Sequence, residues 1–187
     1  MPQLSFISGI SKGAFSLNFV TTPEREMVLD RTRQFVAALL AATVEGRGEI
    51  EAVYPLLAEN VELLEPHFIK VLRQRARKTF SSAPKEEKLA IARALTDLSR
   101  IIWAFPEGDP EIDLEIAIAC NQLALEMYNF SEYPKEWATI HNNLAIAYSE
   151  SCFGDTVQND IKSYDCYQQA KKVFTCQPFP QQWTKLS

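Results

Sequence analysis

Apolar side chains along this chain recur at intervals of three, four and seven residues instead of alternating, which is the spacing that gathers side chains on one face of a helix. From Pro23 onward, Val28, Phe35, Val36, Leu39 and Leu40 share a face, while Glu24, Arg25, Glu26, Asp30, Arg31 and Arg33 mostly take the other. Thr22 supplies a cap, and Pro23 stands in the first turn, where its missing N–H costs nothing; Gly46-Arg47-Gly48 ends the helix. Ile50, Val53, Tyr54, Leu57 and Val61 phase a second helix over 49–64, in which Pro55 predicts a kink or a late start. Pro66 opens a third, carrying Phe68, Val71, Leu72 and Ala76 and ending near Ser81-Ser82-Ala83-Pro84. That turn is read as the internal boundary between an N-terminal helical segment, 22–83, and the remainder, 84–187. Residues 1–21, with Phe6, Ile7, Ile10, Phe15 and Phe19 among Ser and Gly, read as a loosely ordered leader. They lack a basic region ahead of the apolar residues, and Lys12 interrupts them, so they suit neither a signal peptide nor a membrane span.

Beyond Pro84 the chain resembles itself at a shift of 46. Identical residues recur at Ala92/Ala138, Leu98/Leu144, Gly108/Gly154, Asp109/Asp155, Cys120/Cys166, Gln122/Gln168, Ala124/Ala170, Pro134/Pro180 and Trp137/Trp183. Tyr133/Phe179, Tyr128/Phe174, Met127/Val173 and Ile140/Leu186 keep type. Punctuation repeats with the core: Gly-Asp falls between two helical stretches, and aromatic-Pro-x-x-Trp leads into the next. Each unit reads as a helix, a Gly-Asp loop, a second helix and a Pro-led turn. Glu87–Trp103 with Pro110–Asn129 make one unit, 87–132, and Pro134–Glu150 with Asn159–Thr175 make another, 133–178. A partial third starts at Phe179-Pro180-Gln181-Gln182-Trp183. A single hairpin cannot bury its apolar face alone, so stacked copies must share a core.

These phrases resemble the tetratricopeptide repeat, a helix-hairpin module. Asn143-Leu144-Ala145-Ile146-Ala147-Tyr148 matches its first-helix signature, and Ser163, Tyr167 and Ala170 match its second-helix pattern of small, aromatic and small. The first unit keeps Leu98, Ser99, Ala117 and Ala124 but has Ile102 and Asn121 where aromatics are usual. The period exceeds the usual ~34 residues, which is read as a longer linker, 151–160 in the second unit. Tyr-Pro-Lys-Glu-Trp-Ala at 133–138 and Tyr-Pro-Leu-Leu-Ala-Glu-Asn at 54–60 look like a long-linker subtype common in large, mostly cyanobacterial, repeat proteins. Some of those carry a caspase-like CHAT peptidase domain further along. The resemblance implies an all-α fold: antiparallel hairpins stacked as a short right-handed solenoid behind an N-terminal helical cap.

Composition narrows the chemistry. Six Gly and ten Pro in 187 residues are too few turn-formers for a many-stranded barrel or sandwich. Nineteen Lys plus Arg against twenty-four Asp plus Glu leave a net charge of −5, so no field draws in nucleic acid or an anionic membrane. Four Cys without a CxxC pair, and two distant His, form neither a zinc ribbon nor an HExxH helix; reduced, cytoplasmic thiols are the reading. Cys120 and Cys166 share a repeat position, as small buried residues would. No Gly-rich phosphate loop occurs, and no cofactor is called for.

In a repeat module of this kind the functional surface is the concave wall of first helices. The groove-facing stripe falls on Arg93, Thr96, Arg100 and Trp103 in the first unit, and on Thr139, Asn142, Ile146 and Ser149 in the second. Arginines that pair with carboxylates and an amide that bonds an extended backbone suit a protein or peptide partner. Where some family members place a clamping Asn, position 146 holds Ile. The alternative for Arg93 and Arg100 is a solvated face, and for Trp103 the core. The basic run Lys70, Arg73, Arg75, Arg77 and Lys78 reads as a solvated face, because no aromatics interleave with the arginines. His67 and His141 read as packing or surface residues.

The function expected is thus a noncatalytic interaction scaffold. Its open C-terminal end is covered by self-association, or else the chain is a regulatory fragment of a larger CHAT-type peptidase protein. A small all-α enzyme is the further alternative, and it requires a closed pocket holding His67 or His141 beside a carboxylate.

Overall fold

The computed structural model describes residues 22–174, so the leader 1–21 and the partial third unit, 179–187, lie outside the described residues. Within 22–174 the chain is all-α: α1 (Pro23–Glu45), α2 (Ile50–Ala58), α3 (Pro66–Ser82), α4 (Lys85–Trp103), α5 (Pro110–Ala124), α6 (Pro134–Glu150) and α7 (Thr156–Lys171), with a single 3₁₀ turn at Val61–Leu63.

Local chemistry sets most boundaries. Thr22 Oγ1 accepts from the Arg25 N–H at 3.4 Å, and Pro23 opens α1. Asp109 caps α5 by accepting from the N–H groups of Glu111 and Ile112, and Asp155 caps α7 in the same way through Val157 and Gln158. The second cap corrects the linker reading. Helix α7 begins directly after Asp155, so the connection spans 151–155 and not 151–160; the long period comes instead from helices of 15 to 19 residues together with the longer connection 125–133 between α5 and α6. Pro55 lies inside α2, which stops three residues later at Ala58 and is followed by the 3₁₀ turn, where one longer helix was expected. Helix α5 stops at Ala124, short of the expected Asn129, as Leu125–Met127 form a turn.

Helices pair tightly as α4 with α5 and α6 with α7. Both pairs are antiparallel: the Tyr128 hydroxyl beyond the end of α5 donates to Leu89 O near the start of α4, and Lys172 at the end of α7 lies over the Trp137 ring at the start of α6. Ser163 Oγ of α7 donates to Ala145 O of α6, an approach that small residues allow. Helix α6 then packs on α5, where Gln122 Nε2 donates to the Tyr148 hydroxyl at 2.8 Å. On the other side α1 packs against α4 and α3 against α5. Arg73 donates to Gln122, and Arg77 forks onto Glu126 at 2.9 and 3.0 Å; the equal sequence separation of 49 means that α3 and α5 run in the same direction.

Helix α5 therefore has neighbours on three sides, and Leu114, Ile116, Ala117, Ile118, Ala119, Cys120 and Leu123 are buried around most of its circumference. One buried cluster runs from Phe35 of α1 through Leu98, Ile101 and Ile102 of α4 to Ile140 and Ala147 of α6, so helices on both sides of the turn at 82–84 share it. Full burial of an Ile or Leu in this cluster contributes roughly 1.5–3 kcal/mol. Among the described residues no helix is long and apolar enough to cross a membrane.

Candidate functional site

Helices α1, α4 and α6 share one side of the structure, and two hollows open along it. The first, about 300 Å³, lies between α4 and α6 and is lined by Arg93, Thr96, Asp97, Tyr128, Lys135, Glu136 and Thr139. The second, about 310 Å³, lies between the end of α1 and α4 and is lined by Thr43, Val44, Arg47, Ala90, Arg93, Ala94 and Asp97. Arg93 and Asp97, one turn apart on α4, form the ridge common to both. Arg47, Arg93 and Lys135 supply positive charge beside Asp97 and Glu136, so the trough offers cationic donors and carboxylate acceptors together.

Asp97 is half-buried. Burial pushes its carboxyl above the ordinary range, while Arg93 and Arg100 pull it back down. Tyr128 closes the floor; burial first, and then the Glu136 charge, hold its phenol up as a neutral donor. Thr96 Oγ1 donates to Ala92 O at 3.1 Å, and Thr139 is exposed.

Of the eight residues read from the sequence, Arg93, Thr96 and Thr139 line this trough. Arg100 instead reaches across to Gly48 O at 3.3 Å, joining α4 to the turn after α1, and Trp103 is half-buried against the core cluster. Asn142, Ile146 and Ser149 continue the α6 stripe, half-buried, and the hollow beside Thr139 is lined without them; Ser149 Oγ donates to Ile146 O. The sequence reading missed Asp97, Tyr128, Lys135 and Glu136. Lys135 and Glu136 stand one turn before Thr139 on the same helix, so extending the stripe toward Pro134 would have found them.

The two histidines sit elsewhere. His67 Nε2 lies 2.9 Å from Thr32 Oγ1, and its Nδ1 lies 3.2 Å from Glu65 Oε2, the order of groups in a hydroxyl–imidazole–carboxylate relay. Thr32, however, is fully buried and donates its own proton to Val28 O at 2.8 Å, so toward His67 it accepts. The arrangement ties α1 to the start of α3. His141 packs edge-on to Trp137, centroids 4.3 Å apart, with Nδ1 buried and unpartnered; burial, then Lys172, lower its basicity. Burial pushes the Cys120 thiol up to about 12 and Cys166 up to about 11, which suppresses thiolate at neutral pH. The described Cys120, Cys152 and Cys166 are all free thiols, and Cys176 lies outside the described residues. Among the described residues, no group of three or more His, Cys, Asp and Glu is placed to hold a metal ion.

On α3, Ile69, Lys70, Arg73, Gln74 and Arg77 line a larger hollow of about 600 Å³, with Arg73 and Arg77 already engaged by α5. No family model matches the chain, and neither a curated protein nor a solved structure matches it.

Proposed function

We propose that the helix pairs stack as a short right-handed solenoid of tetratricopeptide-like hairpins capped by α1–α3, and that the chain is a noncatalytic adaptor whose trough along α1, α4 and α6 binds a peptide segment of a partner protein. The observation that carries this reading is the ridge of Arg93 and Asp97 between two hollows, which offers an extended chain a donor and an acceptor midway along one continuous path. Arg93 suits a carboxylate side chain of the peptide, while Asp97 suits its backbone N–H groups. Reduced thiols at Cys120, Cys152 and Cys166 fit a cytoplasmic setting.

The test is an array of ten-residue peptides of graded acidity probed with the intact chain. Acid-containing peptides are expected to bind, and Arg93→Glu to weaken them by about tenfold or more, roughly 1.4 kcal/mol. Arg75→Glu, on α3 and outside both hollows, is expected to leave binding unchanged. Equal binding by all three chains would dismiss the trough.

A further inference from the structure

A further hollow, of about 530 Å³, shares no lining residue with the trough. It opens between α2 and the connection from α4 to α5, and each wall carries the same three kinds of residue. Helix α2 contributes Tyr54, Pro55 and Glu51; the connection contributes Phe105, Pro106 and Glu107. The aromatic rings tie the walls together: Tyr54 and Phe105 meet edge to face with centroids 5.3 Å apart, and the Tyr54 hydroxyl donates to Ala104 O at 3.0 Å. Both prolines are exposed, and their rings add stiff apolar surface with no N–H to satisfy. Most of the lining is therefore apolar and held in place by these contacts, so a side chain that enters it orders little of the protein.

Charge identifies what enters. Glu51 and Glu107 are exposed, one on each wall, and among the described residues neither side chain has an ionic or hydrogen-bonding partner. Both walls come from stretches of the chain without a cation. Residues 48–69 hold five carboxylates and no Lys or Arg, and residues 101–134 hold seven and none, together half of the twenty-four acids in the chain. The negative potential is thus concentrated around an apolar hollow, whereas the trough sets Arg93 beside its acids. A neutral apolar ligand would strip water from the two carboxylates without pairing them, and an anion would be repelled. We propose that this hollow docks a basic segment of a partner protein: one apolar residue packs against Tyr54, Pro55 and Pro106, and a Lys or Arg on either side of it pairs with Glu51 and Glu107. The aliphatic stems of those cations extend the apolar contact along the proline rings. The segment is opposite in charge to the peptide that suits Arg93, so the two sites take different ligands.

Fluorescence anisotropy of a labelled peptide, Gly-Lys-Arg-Leu-Pro-Arg-Lys-Gly, titrated with the full chain tests this. Binding is expected with a Kd below about 1 mM. Glu51→Lys/Glu107→Lys should weaken it by about tenfold or more, with unchanged helical circular dichroism. Glu86→Lys/Glu87→Lys makes the same change of net charge in the exposed first turn of α4, outside the hollow, and should weaken it by less than about twofold. Replacing Leu-Pro of the peptide by Ser-Gly should weaken binding to the unaltered chain by about fivefold or more. Absence of binding at about 1 mM overturns the proposal, and so does an equal loss in the two double variants, which is attraction by net charge alone. A Ser-Gly peptide that binds as well as the original shows that no apolar residue is read, and spermidine that displaces the label at lower concentration than the unlabelled peptide makes a polyamine the occupant; either result overturns it too. The peptide and spermidine arms use the unaltered chain, so they decide the matter even if a variant fails to fold.

Discussion

In the α6–α7 hairpin, Asn159 turns its amide back into the loop and donates through Nδ2 to Phe153 O at 2.8 Å and to Ser151 O at 3.3 Å. Forty-six residues earlier, in the α4–α5 hairpin, Asp113 holds the same place, 1% exposed, with Oδ1 buried and unpartnered. An amide brings donors to carbonyls; an ionised carboxylate brings none and is repelled by them. Burial and the nearby Asp109 accordingly push the Asp113 carboxyl up to about 6. The two loop glycines differ as well. A Cβ on Gly108 would sit 1.9 Å from Asp113 Oδ2, so glycine there makes room for a side chain, whereas Gly154 has open space around it and is required by φ +76°. One sequence register can therefore preserve a shape while the physical reason for each residue changes.

The comparison is broken most forcefully in the core. Leu98 and Leu144 are repeat equivalents, but α4 packs against α1 and α3 as well as α5, while α6 packs mainly on α5 and α7. Leu98→Ala is expected to destabilise by about 3–5 kcal/mol and Leu144→Ala by about 2–3 kcal/mol, measured by urea denaturation. Equal losses would mean that both hairpins share one equally packed core.

Exchanging the two loop residues comes next. For Asp113 the folded-state pKa is above the unfolded one, so its contribution to stability is fully present below about pH 4 and lost as pH rises through about 6. Asp113→Asn should therefore stabilise the protein by about 1–3 kcal/mol at pH 8, with the gain vanishing near pH 4. Asn159→Asp should do the reverse, destabilising by about 1–3 kcal/mol at pH 8 and less in acid. Thermal melts across that range decide it; a gain from Asp113→Asn that does not depend on pH would show that the carboxyl is not neutral in the fold. The smallest effect is expected at the caps, where the two hairpins agree. Asp109→Ala and Asp155→Ala should each cost about 1 kcal/mol, and a clear inequality between them would place further work on one of the two carboxylates.

Helix phases, prolines in first turns and the Thr22 cap were legible in the sequence because each depends on residues within one turn, whereas the Gly-Asp repeat was read as a loop and its Asp109 and Asp155 caps emerged from the structure. The start of α7 was misjudged because Gly154, Thr156, Val157 and Asn159 are weak helix formers, and the cap at Asp155 overrides them. The site was half legible. Arg93, Thr96 and Thr139 follow from helical spacing, yet Tyr128 enters the trough from beyond the end of α5, and Asp97 joins two hollows only because α1 lies on the far side of α4.

By itself the sequence determined an all-α chain, the approximate helices, and a 46-residue kinship between two hairpins, since periodicity and capping act over three or four residues. The tertiary structure decided which faces meet. It buried Asp113 and His141, turned Arg100 onto Gly48, surrounded α5 on three sides and left Val157, Ile161 and Tyr164 of α7 facing outward. Those outcomes depend on distances between helices far apart in the chain, and no local pattern encodes them.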